Sequence, residues 1–310
     1  VSELASEPNR HSSVRAIAVV GPTAAGKSDL GVELARRCGG EVINADAMQL
    51  YKGMDIGTAK LSLAERRGVP HHMLDVLDVT ETASVAAYQR QTRELMERLI
   101  ADGVTPVLVG GSGLYVQAVL DELEFPGTDP AVRTRLEAEL AEVGSEALHA
   151  RLAVLDPPAA TAILSSNGRR VVRALEVIEV TGRPFSATMP KRGEARYGTV
   201  QIGVDRDVAE LDARVDLRVR LMFEAGLVDE VRALEAVGLR DGKTAARALG
   251  YQQVLSYLDG SYDLDAAAEE TARATRRFVR RQRSWFRRDQ RITWFDGARP
   301  DLAEAAGALL

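Results

Sequence analysis

The hydrophobic pattern along the chain alternates between two periods. Short, mostly apolar runs stand at Ala16 to Val20, Glu41 to Ala45 and Val104 to Val109, each closed by glycine or aspartate. Runs of this length between turn residues predict strands buried on both faces, as in a parallel sheet. Between them lie longer segments of helical period. One runs from Lys27 to Cys38 and closes on Gly39-Gly40, one from Ala83 to Ala101 with Gly103 beyond it, and one begins near Leu114. This alternation predicts an α/β fold, a parallel sheet wound with helices.

The pattern changes at Phe125-Pro126-Gly127. From Asp129 to Thr181 the chain is rich in Ala, Glu, Arg and Leu and reads as helix, punctuated at Pro157-Pro158 and Asn167-Gly168. Pro184 to Gly198 reads as loop, and Val200 to Val204 resumes strand character. Helices are expected over 211–225, 227–236, 244–258 and 264–289. The organisation expected is a flexible tail over 1–13, an α/β core from 14–124 and 199–310, and a helical insertion domain over 125–198.

Composition changes this picture little. The 310 residues are 45% hydrophobic and 27% charged, which excludes a disordered or collagenous chain and allows a sizeable core. No apolar run approaches the roughly 18 residues of a membrane span. A single cysteine, Cys38, cannot form an internal disulfide, and Val1 to Arg15 lack an apolar signal core. A cytoplasmic location with no membrane partner is expected.

Net charge is -5, which taken alone disfavours nucleic acid. Its distribution points the other way. Arg273, Arg276, Arg277, Arg280, Arg281, Arg283, Arg287, Arg288 and Arg291 fall in one stretch, interleaved with Phe278, Trp285 and Phe286, and only Asp289 opposes them locally. Such a face reads either as a solvated cationic surface or as the seat of an external polyanion.

The chemistry begins at Gly21-Pro22-Thr23-Ala24-Ala25-Gly26-Lys27-Ser28, which fits G-x-x-x-x-G-K-[ST] between a buried strand and a helix. The glycines let successive N–H groups converge on a phosphate, the helix N-terminus adds positive dipole, Lys27 a mobile charge, and Ser28 a hydroxyl for Mg²⁺. A P-loop-type sheet is therefore expected, binding a diphosphate or triphosphate. A nucleotide kinase or ATPase wants an acid at the end of an apolar strand, but Val104 to Val109 ends in Gly110-Gly111-Ser112.

Asp46 ends the second strand, where ligands of such sheets bind, and has two readings: a proton acceptor or a helix N-cap. Ser112 likewise reads as a hydroxyl beside the phosphates or as a cap. Arg214 and Arg218, four apart on one helix face, read as a phosphate grip or as surface charges paired with Asp212 and Asp216. His71-His72 lacks further ligands for a metal, and Cys38 reads as a small buried residue.

Taken together, these motifs resemble the tRNA dimethylallyltransferases (tRNA isopentenyltransferases of the bacterial MiaA type) over nearly the whole chain. Gly21 to Ser28 matches that family's GPTxxGKS/T, and Asp46 to Lys60 its DSMQxYxGMDIGTAK. Gly110 to Tyr115 matches GGTGLY, and Arg173 to Val177 with Thr181-Gly182 matches RALEV and TG. The series from Asp205-Arg206 through Arg214, Arg218, Met222 and Gly226-Leu227 to Glu230-Val231 follows the family's helix. Gly250-Tyr251, Arg280-Arg281-Gln282 and Trp285-Phe286 match its GY and RRQxTWF. Departures are Ala47 for serine, Ser112 for threonine, Ser165-Ser166-Asn167-Gly168 for His-Pro-Asn-Asp, and Ser284 for threonine. With one cysteine the chain cannot build the zinc finger carried by many eukaryotic members.

The resemblance implies transfer of a dimethylallyl group from dimethylallyl diphosphate to N6 of adenine 37 in tRNA. It implies catalytic roles for Asp46 as general base, Ser112 and Arg218. Diphosphate would be bound by Gly21, Thr23, Ala24, Ala25, Gly26, Lys27, Ser28 and Arg218, with Mg²⁺ at Ser28 and Ser112. The tRNA anticodon stem-loop would be met by Asp46, Ala47, Met48, Gln49, Ser112, Arg133, Arg169, Arg170, Arg173, Arg247, Gly250, Tyr251, Gln252, Arg277, Arg280, Arg281 and Arg287. A monomer without a stable protein partner is expected.

Overall fold

The computed structural model describes residues 15–188, 193–261 and 263–310. The tail expected over 1–13 lies outside them, as do residues 189–192 of the expected loop. The elements in chain order are β1 (Ile17–Val20), α1 (Lys27–Cys38), β2 (Glu41–Asn44), β3 (His71–His72), α2 (Val85–Ala101), β4 (Pro106–Gly110) and α3 (Gly113–Leu120). Then come α4 (Pro130–Leu155), α5 (Pro157–Ala162), α6 (Gly168–Thr181), β5 (Val200–Asp205), α7 (Val208–Glu224), α8 (Leu227–Glu235), α9 (Tyr251–Leu258), α10 (Leu264–Phe286), β6 (Ile292–Asp296) and α11 (Leu302–Gly307). The described residues form two compact units, one from 15–120 with those of 195–310 and the other from those of 121–194. The seams fall four residues earlier than the pattern change suggested.

The first unit holds a six-stranded sheet in the order β3-β2-β4-β1-β5-β6, parallel throughout. Valine, isoleucine and leucine of β1 and β4 are buried on both faces, which explains their unbroken apolar runs. One face packs Leu30, Leu34, Leu211, Val215 and Val279 from α1, α7 and α10. The other packs Tyr88, Met96, Tyr115 and Val119 from α2 and α3. A third cluster joins Tyr51 and Met54 to Leu227, Val231, Tyr251 and Val254 of α8 and α9.

Register decides where the site lies. Val20 pairs with Gly110 and with Gly203, and Asn44 with Val109. The carboxyl ends of β1, β2 and β4 therefore finish level. Gly21 to Ser28, Asp46 and Gly110 to Ser112 emerge side by side, at the end of the sheet where ligands of such folds bind.

The second unit is helical. Asp129 caps α4, accepting the Ala131 N–H at 2.8 Å, Asn167 caps α6, and Gly144 (φ 82) breaks α4 internally. Its core is Leu136, Leu148, Leu152, Val171 and Leu175.

Some sequence expectations fail for identifiable reasons. The helix expected over 244–258 is interrupted: Ala245–Arg247 form a short 3-10 turn, Gly250 takes φ 89, and only Tyr251–Leu258 is α-helical. The arginine helix stops at Phe286, so Arg287, Arg288 and Arg291 lie beyond it. β3 is two residues long, and β6 and α11 are short segments after the last strong period, which hydrophobic patterning does not separate from loop.

The Glu176 side chain is wholly buried in the second unit and is gripped by Arg133 and by Arg173, the latter at 2.8 Å. Removing the carboxylate leaves two guanidinium groups without their anion. Glu176→Ala is expected to destabilise this unit by about 2 kcal/mol, below the usual range for buried pairs because both arginines keep some solvent. Urea unfolding of the full chain measures it.

Candidate functional site

The phosphate loop owes its shape to alternating backbone handedness. Ala24 (φ 65) and Gly26 (φ 106) are left-handed, so neighbouring N–H groups converge on one point ahead of α1. Gly21 must lack a side chain, because a Cβ there would lie 2.1 Å from the Val204 carbonyl of β5.

The loop carbonyls are fixed from behind by arginines. Arg206 Nε donates to the Ala25 carbonyl at 3.1 Å, and Arg214 Nε to the Ala24 carbonyl at 2.7 Å. Arg218 donates to the Thr23 hydroxyl at 3.2 Å. The surface reading of Arg214 and Arg218 is thereby overturned. Asp212 and Asp216 pair instead with Arg280 and Arg276 of α10.

Lys27 Nζ donates to the Pro22 carbonyl at 2.6 Å. Burial, helped by the Arg218 charge and opposed by Asp46, pulls its ammonium down to about 8. Burial also lowers Arg218, with Arg214 adding to the effect and Asp29 opposing it.

Asp46 follows β2. Asn44 shapes this exit: its Oδ1 accepts the Asp46 N–H at 2.8 Å, and its Nδ2 donates to the Asp46 carbonyl at 3.0 Å. Asp46 Oδ1 accepts the Met48 N–H at 2.9 Å, yet the residue also lines two cavities. The cap-like bond and the site-facing position therefore coexist. Burial raises its carboxyl above the usual range, against backbone hydrogen bonds and Lys27. The Ser112 hydroxyl accepts the Ala47 N–H at 3.1 Å, tying the exits of β2 and β4 together.

Two cavities of opposite character adjoin here. One, of about 360 Å³, lies over the phosphate loop and is lined by Lys27, Ser28, Asn44, Gln49, Arg214 and Arg218 among others. The second, of about 380 Å³, is lined chiefly by Ala47, Met48, Val215, Val219, Met222, Ala248, Leu249 and Phe278. Thr23, Asp46, Thr58, Ala59 and Arg218 border both. Ser112 borders only the apolar cavity. Arg247 and Arg281 also line it, are exposed, and have no acidic partner among the described residues. Arg281 lies over the Phe278 ring.

Other sequence-derived candidates fall elsewhere. Tyr251 is fully buried and Gly250 is buried beside it, so neither offers an open surface, whereas Gln252 is exposed. Phe286 is buried in the core, and Trp285 packs on Gly113, where a Cβ would come within 2.2 Å of its ring. The arginine stretch is not unopposed. Arg276 and Arg280 hold Asp216 and Asp212, Arg283 and Arg287 hold Asp205, and Arg273 and Arg277 hold Glu270. Local sequence could not show this, because four of these six arginines find their acids on β5 and α7. Arg133 and Arg173 are engaged with Glu176, while Arg169 and Arg170 are exposed and without ion pairs among the described residues. His71 and His72 have separate partners: His72 meets Glu41 at 2.6 Å, and His71 meets the Val69 carbonyl. Cys38 is half-buried rather than buried.

Gln282 was missed as a site residue. Buried on α10, it accepts the Thr23 N–H and donates to the Gly111 carbonyl, both at 2.9 Å, joining the phosphate loop to the glycine–serine turn. A glutamine inside an arginine run, facing the apolar side of the helix, was the available signal.

Sheet order and the loops gathered at the carboxyl ends of its strands define an α/β protein built on a six-stranded parallel sheet, with two adjoining cavities. The IPP transferase family model matches residues 49–289, and the chain belongs to that family. It is 69% identical to the tRNA dimethylallyltransferase of Saccharopolyspora erythraea over 302 residues, 97% of each chain. It is 65% identical to that of Rhodococcus jostii over 288 residues, 93% of each. Among solved structures it resembles the tRNA isopentenylpyrophosphate transferase of Bacillus halodurans (TM-score 0.71, 41% identity, covering 96% of this chain and 95% of that one). It also resembles a eukaryotic dimethylallyltransferase solved acting on tRNA (TM-score 0.81, 26% identity, covering 95% and 77%).

The lowered Lys27 ammonium generates a pH prediction. Above pH 8 the free protein holds Lys27 increasingly neutral, while a bound polyanion restores its charge, so binding takes up a proton. Affinity for pyrophosphate should therefore fall as pH rises from 8 towards 10, on top of the ligand's own titration. Lys27→Arg, which stays charged, should lack that component. Calorimetry in buffers of different ionisation enthalpy reads the proton count.

Proposed function

We propose that this chain transfers the dimethylallyl group of dimethylallyl diphosphate to N6 of adenine 37 in tRNA, releasing diphosphate. The observation that carries the reading is the meeting of a cationic cavity and an apolar one at Asp46, Thr23 and Arg218. A prenyl diphosphate is cationic-seeking at one end and apolar at the other, and its scissile C–O bond lies between. A kinase needs no apolar chamber at that junction.

In this reading the amides of Ala24 to Ser28 hold the diphosphate, with Lys27 and Arg218 taking up charge as the allylic C–O bond breaks. The N6–C1 bond forms in the apolar cavity, and the electron pair of the broken bond leaves with the diphosphate. Asp46 accepts the N6 proton. Burial raises its carboxyl, which makes the carboxylate a stronger base than a solvated aspartate. The adenine must leave the anticodon-loop stack to enter. Arg247 and Arg281, at the cavity and free of acids among the described residues, would meet flanking phosphates, and exposed Gln252, Arg169 and Arg170 remain further candidates. No helix among the described residues is long and apolar enough to cross a membrane, and a cytoplasmic location suits a tRNA substrate.

Mg²⁺ fits only as a substrate-borne cation. Among the described residues no cluster of three His, Cys, Asp or Glu side chains exists to hold a metal. Ser28, exposed in the phosphate cavity, would supply one oxygen, with diphosphate and water supplying the rest. Ser112 fits less well, since it borders the other cavity and its hydroxyl holds Ala47. The ion would neutralise charge on the leaving diphosphate.

Incubation of unmodified tRNA with dimethylallyl diphosphate and Mg²⁺, followed by nucleoside mass analysis, tests the assignment. ATP-dependent phosphorylation without tRNA prenylation would sink it. Asp46→Ala should lower kcat by about two to four orders of magnitude with tRNA binding largely kept. For the tRNA surface, Arg281→Ala and Arg247→Ala should each weaken binding and flatten its logarithmic salt slope by about one. Arg276→Ala and Arg280→Ala, which break ties to α7, should instead act mainly on stability. Filter binding across a salt series, beside thermal melts, separates the two groups.

A further inference from the structure

The Glu230 carboxylate collects more donors than any surface salt bridge needs. It accepts the backbone N–H groups of Asp55 at 3.0 Å, Ile56 at 2.7 Å and Gly57 at 3.2 Å. It also accepts the Tyr251 hydroxyl at 2.5 Å. Three successive amides turned towards one point form an anion-binding concavity, and here a side chain of the protein itself fills it. The Tyr251 ring lies flush on Gly57, where a Cβ would come within 2.5 Å of the ring.

What these groups fasten is informative. Gly57, Thr58 and Ala59 form one wall of the apolar cavity, and Thr58 and Ala59 extend into the junction with the phosphate cavity. Arg247, Ala248 and Leu249 form another wall and lead directly into Tyr251. Glu230, on α8, touches neither cavity, yet its carboxylate bonds to the start of the first wall and to the residue that anchors the second. From within, Gln49 Nε2 holds the Thr58 carbonyl at 3.0 Å. One carboxylate therefore ties the two walls to each other.

We propose that Glu230, acting with Tyr251, is a positioning residue that sets the width of the apolar cavity and so limits the length of the prenyl group it accepts. The inference rests on the prenyl-transfer reading above. Without the carboxylate, three amides lose their shared acceptor, the 55–59 segment moves off α9, and the cavity widens at its junction. A longer prenyl diphosphate then competes better, because a rigid apolar wall discriminates by about tenfold or more per added group, and a loosened one does not.

The experiment compares kcat/KM for dimethylallyl diphosphate and geranyl diphosphate on unmodified tRNA, using the full chain, Glu230→Gln and Tyr251→Phe. Thermal midpoints are measured in parallel. Glu230→Gln is expected to lower the dimethylallyl preference about tenfold, with Tyr251→Phe shifting it in the same direction by less. If both donors lose rate equally, in step with a fall in thermal midpoint, Glu230 is merely structural and the inference is overturned. Tyr251→Phe keeps the ring packing and removes one donor, so it reports even if Glu230→Gln folds poorly. Failure of the unaltered chain to prenylate tRNA at all would strike the functional reading instead.

Discussion

Everything in the first unit is arranged around one constraint: the amides of a short loop must point at an anion, so its carbonyls must be satisfied from the opposite side. Left-handed Ala24 and Gly26 give the curl, but a curl of bare backbone would be free to relax. Arg206 and Arg214 bind the Ala25 and Ala24 carbonyls. Gln282 takes the Thr23 amide and so removes it from the ligand-facing set. These partners come from the end of β5, from α7 and from α10. The placement of β5 beside β1, and of α7 and α10 on the sheet face over α1, follows from that need as much as from apolar burial.

Such an arrangement makes the arginines of α10 heterogeneous. A helix with this much positive charge could bind RNA along its length, but most of its guanidinium groups already hold acids on β5, on α7 or on the helix itself. Asp205, largely buried, accepts from both Arg283 and Arg287. Charge density read from sequence thus overstates the free cation available to a polyanion. It is the exceptions, Arg281 on α10 and Arg247 on the facing loop, that border the apolar cavity. A net charge of -5 does not exclude a polyanion, because cations without acidic partners gathered at one cavity can focus a local positive field.

Hydrophobic period made the central strands and the long helices legible, because β1 and β4 are buried on both faces and α1 and α2 on one. The phosphate loop was legible because its chemistry needs particular residues in a fixed spacing. Asp46 was legible as a position but not as a role: cap and acceptor use the same carboxylate, and only the structure shows that it lines both cavities. Gly250-Tyr251 was expected to meet tRNA yet is buried, since a motif records that residues matter without saying whether they touch the ligand or hold what does. Ion pairs between segments 60 or more residues apart, such as Arg280 with Asp212, leave no trace in local charge patterning. Gln282 and Glu230 belong to the same class, polar groups whose partners are backbone amides and carbonyls far along the chain.

The junction between the cavities imposes conflicting demands. The leaving diphosphate wants cations and water-borne ions, while the allylic carbon and the adenine want an apolar, water-poor chamber in which a developing carbocation is not captured by solvent. Asp46 stands where these demands meet. Placed wholly in the cationic cavity, it would be held as a weak base by Lys27 and would oppose the diphosphate. Placed wholly in the apolar cavity, it would be driven towards the neutral acid. Burial pushes its carboxyl up, and the Met48 N–H and the Lys27 charge oppose that shift. The Asn44 side chain, bonded to both the Asp46 amide and carbonyl, fixes that compromise in the backbone, so the balance is set before any ligand arrives.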